Sequence, residues 1–122
     1  MSNYKVLAVD DSPSMRSMIT FTLKKAGYST VIAEDGIQGL DTAKDDDFDL
    51  VLTDINMPEM NGIELIENLR QLDAYKHKPI LVLTTESSDE MKNKGKSVGA
   101  TGWIVKPFEP EKLLNALERV LH

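Results

Sequence analysis

The 122 residues, 41% hydrophobic and 28% charged, amount to one domain, long enough to bury a continuous core without a disulfide or structural metal. The chain contains no cysteine, which excludes disulfide frameworks, thiolate metal sites and thiol nucleophiles; it also shows no basic leader and no apolar run approaching ~18 residues. A formal net charge of -6, with no basic-aromatic patch or zinc-finger spacing, argues against nucleic-acid binding, so a cytoplasmic monomer on neither membrane nor nucleic acid is the expectation.

Tyr4 to Val9 reads as a first strand, buried over Val6 to Val9, that stops at Asp10-Asp11. Ser12-Pro13 then supplies an N-cap and a proline at N1, where its missing donor costs nothing. Met15, Met18, Ile19, Thr22, Leu23 and Ala26 recur at helical spacing, and Gly27 suits the C′ position. The methionines read as core filler rather than cofactor ligands. Thr30 to Ala33 is a second strand, followed by the turn Glu34-Asp35-Gly36 and a helix from about Ile37 to Lys44, packed through Leu40 and Ala43. Asp45-Asp46-Asp47 reads as a solvated loop, because three adjacent side chains do not aim at one centre.

Leu50 to Thr53 is a short β-branched run ending in Asp54, with the turn-like Ile55-Asn56-Met57-Pro58 behind it, and reads as a fully buried strand. Asn61-Gly62-Ile63-Glu64 has capping-box spacing and opens a helix with Leu65, Ile66, Leu69 and Leu72 on its apolar face. Ile80 to Leu83 is a fourth strand, stopping at Thr84-Thr85. The helix from about Ser87 or Ser88 is poor: Met91 and Val98 anchor it and Gly95 interrupts it, so it is either a surface that shifts or a frayed helix. Lys92, Lys94 and Lys96 along it form a solvated face or a docking surface. Trp103-Ile104-Val105 is a fifth strand ending at Lys106-Pro107-Phe108, and Pro110 opens a last helix striped by Leu113, Leu114, Leu117, Val120 and Leu121.

Five strands alternating with five helices imply an α/β doubly wound sheet of parallel strands, with ligands bound outside the carboxyl ends of the strands. Asp10, Asp11, Asp54, Thr84 and Lys106 all fall at such ends. Clustered carboxylates repel without a cation, and hard oxygen ligands suit magnesium, with a backbone carbonyl such as that of Asn56 completing the set. Asp54 is the candidate nucleophile, since aspartate can form an acyl phosphate. Lys106 suits phosphoryl oxygens as a point charge, and the Thr84 hydroxyl can donate to another of them. Singly, an Asp pair is a cap, Lys106 a surface lysine and Thr84 a strand-end cap; jointly, at three strand ends, they indicate magnesium-dependent phosphoryl chemistry.

The acidic pair Asp10-Asp11, the segment Thr53-Asp54-Ile55-Asn56-Met57-Pro58 with Gly62 beyond it, Thr84, and Lys106-Pro107-Phe108 together resemble a response-regulator receiver domain of two-component signalling, spanning residues 1–122. The likeness is strongest to the single-domain chemotaxis members. The resemblance implies a (βα)5 flavodoxin-like three-layer sandwich with sheet order 2-1-3-4-5 and a cis bond between Lys106 and Pro107. It also implies phosphotransfer to Asp54 from a histidine kinase with Mg2+, held by Asp10, Asp11, Asp54 and Asn56. Such a protein catalyses its own phosphotransfer and dephosphorylation without being a conventional multiple-substrate enzyme. Thr84 would shift toward the phosphoryl group, the aromatic residue on strand five would turn inward, and the surface of helix four, strand five and helix five would change. That aromatic is Trp103 here, where chemotaxis regulators commonly carry tyrosine, so it is either a large rotameric switch or a fixed packing element. Asn56 and Glu86 occupy positions that tune dephosphorylation and meet an auxiliary phosphatase.

The implied output partner is the flagellar motor switch protein. A phosphorelay intermediate serving a histidine phosphotransfer protein is the alternative. A magnesium-dependent phosphohydrolase of the haloacid-dehalogenase type fits less well, because the first strand ends in Asp10-Asp11 rather than in an Asp-x-Asp pattern.

Overall fold

In the computed structural model, residues 4–121 are described. They form strands β1 (Lys5–Val9), β2 (Ser29–Ala33), β3 (Leu50–Thr53), β4 (Ile80–Thr84) and β5 (Gly102–Val105). These alternate with helices α1 (Pro13–Lys25), α2 (Gly36–Asp45), α3 (Gly62–Arg70), α4 (Asp89–Val98) and α5 (Pro110–Val120). The sheet is parallel throughout, in the order β2-β1-β3-β4-β5. This is the (βα)5 flavodoxin-like architecture that the motifs imply, with the cis Lys106-Pro107 bond in place. Among the described residues no helix is long and apolar enough to cross a membrane.

The apolar runs are continuous because both faces of the central strands are covered. Alternate residues divide between two cores: Val6, Ala8, Leu50, Leu52, Leu81 and Leu83 meet α1 and α5 through Ile19, Leu23, Leu113 and Leu117. Leu7, Val9, Val51, Ile80 and Val82 face α2 and α3, where Leu65, Ile66 and Leu69 are fully buried. Each such Val, Leu or Ile side chain contributes roughly 1.5–3 kcal/mol on burial. Ser12 caps α1 by accepting from the Met15 amide, and Asn61 and Glu64 complete the expected capping box of α3.

Local differences from the sequence reading have identifiable causes. Gly36 joins α2 at its start, because Asp35 caps it by accepting from the Gln38 amide, and Asp45 extends the helix by one residue at its end. Leu72 lies beyond α3 and leads into a 3-10 turn, Asp73–Tyr75, closed around the buried Tyr75. Met18, placed by periodicity on the packed face of α1, is 48% exposed, and Phe21 beside it on the same helix is 68% exposed. Gly95 does not break α4: it is buried, and a Cβ there would lie 2.6 Å from Cζ3 of Trp103, so glycine makes room for the indole.

Candidate functional site

Asp10, Asp54 and Lys106 each sit one residue past a strand, where the ladder still holds the backbone. The Asp10 amide donates to the Ala33 carbonyl at 3.1 Å, that of Asp54 to the Val9 carbonyl at 3.0 Å, and that of Lys106 to the Thr84 carbonyl at 2.8 Å. Strands β1, β3 and β5 thus deliver their next side chains to one end of the sheet. The loop behind Asp54 is fixed by Gly62, whose amide donates to the Ile55 carbonyl at 2.9 Å. A Cβ at that position would stand 2.0 Å from the Asp54 carbonyl oxygen, so only glycine lets α3 start this close.

One oxygen of each buried carboxylate is held by backbone and the other by Lys106. The Ser12 amide donates to Asp10 Oδ1 at 2.9 Å, and the Ile55 amide to Asp54 Oδ1 at 2.7 Å. Lys106 Nζ donates to Asp10 Oδ2 at 2.7 Å and to Asp54 Oδ2 at 2.9 Å. Burial works against the charge of this ammonium, but the hydrogen bonds to Asp10 and Asp54 and the attraction of both carboxylates outweigh it, raising the Lys106 pKa above its ordinary value. Asp11 is exposed, yet ligand oxygens of Asp10, Asp11 and Asp54 all lie within 4.8 Å of one another. An all-oxygen set that narrow, with one open and two buried carboxylates, fits a hard divalent cation such as magnesium.

The remaining predicted residues lie on β4, on β5 and in the loops that follow β3 and β4. Thr84 is fully buried at the end of β4, its Oγ1 accepting from the Glu86 amide at 3.3 Å. Asn56 is exposed on the loop that follows Asp54, and Glu86 is half-buried at the start of the loop into α4. Trp103 lies on β5, and its indole Nε1 donates to the Glu86 carbonyl at 2.8 Å while its ring covers Gly95. Sequence reasoning overlooked Arg16, which reaches the Asp10 carbonyl from α1. Its position one turn into an amphipathic helix reads as solvent-facing, and only the turn of the chain after Asp10 reveals otherwise.

Comparison with known proteins agrees with this geometry. Residues 6–118 match the response regulator receiver domain family. The chain is 40% identical over 119 residues to the chemotaxis protein CheY-3 of Vibrio cholerae, covering 97% of this chain and 92% of that one. Its fold superimposes on the chemotaxis response regulator CheY4 of Vibrio cholerae with a TM-score of 0.94 and 52% identity, covering 98% of this chain and 100% of the other. The receiver domain of the sensor histidine kinase PA1611 from Pseudomonas aeruginosa, solved with a magnesium ion coordinated in the active site cleft, gives a TM-score of 0.91 at 25% identity, with 98% of each chain covered.

Proposed function

Since the chain belongs to the response-regulator receiver domain family, we propose that Asp54 accepts a phosphoryl group from the phosphohistidine of a histidine kinase and that phosphorylation switches an output surface. The observation that carries this reading is the convergence of Asp10, Asp11 and Asp54 within 4.8 Å, with Lys106 bridging two of them. Similarity to chemotaxis proteins over nearly the whole chain supports a chemotactic output. Residues 1–122 act in this reading as one cytoplasmic receiver unit.

Asp10, Asp11 and Asp54 would hold Mg2+, with the Asn56 carbonyl as a further ligand; when bound, the ion supplies positive charge against the phosphoryl oxygens. An Asp54 oxygen bonds to phosphorus as the P–N bond to the donor imidazole breaks; the electron pair stays on that nitrogen, which takes up a proton. Lys106 offers its ammonium to a phosphoryl oxygen and Thr84 its hydroxyl to another. Asn56 and Glu86 orient the water that later hydrolyses the acyl phosphate. Trp103, bonded to the carbonyl of Glu86 two residues beyond Thr84, carries the change from pocket to α4 and β5. Beside it a groove of about 220 Å³, lined by Lys92, Lys96, Thr101 and Trp103, offers two cations to an acidic segment of the flagellar motor switch protein.

The direct test supplies phosphoramidate, a small phosphoryl donor that needs no cognate kinase, with Mg2+ and weighs the intact protein. Wild type should gain one hydroxylamine-labile phosphoryl group, and chelation of the metal or Asp54→Asn should abolish the gain; stoichiometric uptake by D54N would overturn the assignment. Capture from cell extract on beryllofluoride-loaded protein then separates outputs. Loading-dependent recovery of a motor-switch component supports chemotaxis, and recovery of a histidine phosphotransfer protein in its place selects the relay.

A further inference from the structure

Adjacent residues on extended backbone send their side chains to opposite sides, yet Asp10 and Asp11 both place an oxygen within 4.8 Å of one on Asp54. The chain must therefore turn at the peptide group joining the two acids. Its two flanks are held from different places: the Asp10 amide by Ala33 on β2, and the Asp10 carboxylate by the Ser12 amide. The carbonyl of the joining peptide accepts from Nη1 of Arg16 at 2.8 Å. Arg16 itself is restrained, since its Nη2 lies 3.5 Å from Glu34 Oε1 and its side chain is only 13% exposed. Glu34 directly follows β2, so the guanidinium spans from the edge strand to the turn between the acids.

We propose that Arg16 is a positioning residue for the divalent cation: its planar fork fixes the Asp10-Asp11 peptide so that both carboxylates face one ion. The inference rests on the acids holding that ion. Charge and geometry act here with opposite signs. A guanidinium close to the acids repels an incoming dication, so on charge alone its removal tightens metal binding; if it holds the ligands in place, its removal weakens it. Lysine in its place keeps the charge but has no planar fork with which to engage the Asp10 carbonyl and Glu34 together.

The test titrates MgCl2 into the full chain at constant ionic strength and follows backbone amide NMR shifts of wild type, Arg16→Ala and Arg16→Lys, with thermal melts recorded without metal. Arg16→Ala should bind Mg2+ about tenfold more weakly, at the lower end of what loss of an outer-shell partner costs, and Arg16→Lys should also bind more weakly than wild type. Equal or tighter binding by either folded variant overturns the role of Arg16. Should Arg16→Ala melt below the working temperature, Arg16→Lys alone decides. The two readings fail differently: wild type and both variants binding alike removes only the Arg16 inference, whereas a wild type without saturable shifts at Asp10, Asp11 and Asp54 removes the metal site and the inference together.

Discussion

Two backbone positions, Glu59 in the loop after β3 and Gly62 at the start of α3, bear on the site in opposite ways. Gly62 makes room for the Asp54 carbonyl, 2.0 Å from where a Cβ would stand. Gly62→Ala must therefore push α3 away from β3 and carry Asp54 with it. Initial phosphoryl uptake from phosphoramidate should fall about 100-fold, the cost typical of a 1 Å misplacement, and unchanged uptake would show that the loop absorbs the methyl elsewhere. Three residues earlier Glu59 holds φ at 67°, a left-handed conformation that glutamate adopts at a cost and asparagine tolerates better. Glu59→Asn should raise stability to urea by roughly 0.5–1 kcal/mol while leaving uptake as it was. The two substitutions separate a glycine demanded by the site from a strain the site can do without.

Helix α4 is bound to the rest of the molecule by few but directional contacts. Gly95 is its one buried residue, lying under the indole of Trp103. At its far end Arg70 holds the Gly99 carbonyl through Nε at 3.1 Å and Nη2 at 2.6 Å while Nη1 holds the Tyr75 and Lys78 carbonyls, each at 2.7 Å. Gly95→Ala should lower stability by about 1 kcal/mol in chemical denaturation, because overpacking against the ring exceeds the gain in helix propensity. Trp103→Tyr in the same background should recover much of that loss, a coupling that independent sites would not show. This pair also marks where the sequence stops being readable. Asp10, Asp54 and Lys106 stood out because strong apolar runs end abruptly at each, and a parallel sheet brings such ends together. Gly95 read as an interruption because its partner lies on the next strand, and Arg16 was passed over because its acceptor is a carbonyl, which leaves no trace in residue type. Met18 matched helical periodicity but lies exposed on α1.

Among the described residues, folding raises the proton affinity of three groups: Lys106 as described, Tyr28 chiefly by desolvation with repulsion from Glu118, and Tyr75 chiefly by desolvation. Unfolded lysine and tyrosine lose their protons near pH 10.4 and 10, where the folded chain still keeps them. The stability this represents is intact below those values and drains away as pH rises through the raised ones. Urea midpoints should hold steady from pH 7 to about 9 and then fall above about pH 10, with a shallower fall in Lys106→Met because the tyrosines remain; a fall of equal steepness would assign the alkaline lability to the tyrosines alone. The same lysine closes a contact with Asp10, 96 positions earlier in the chain. A ribosome that has made β1 through β4 has already emitted every carboxylate of the pocket, but the ammonium that bridges Asp10 and Asp54 is still to come. A half-made copy therefore carries its acids without the cation that bridges Asp10 and Asp54, and under the proposed function the pocket is complete only once synthesis has passed the last strand.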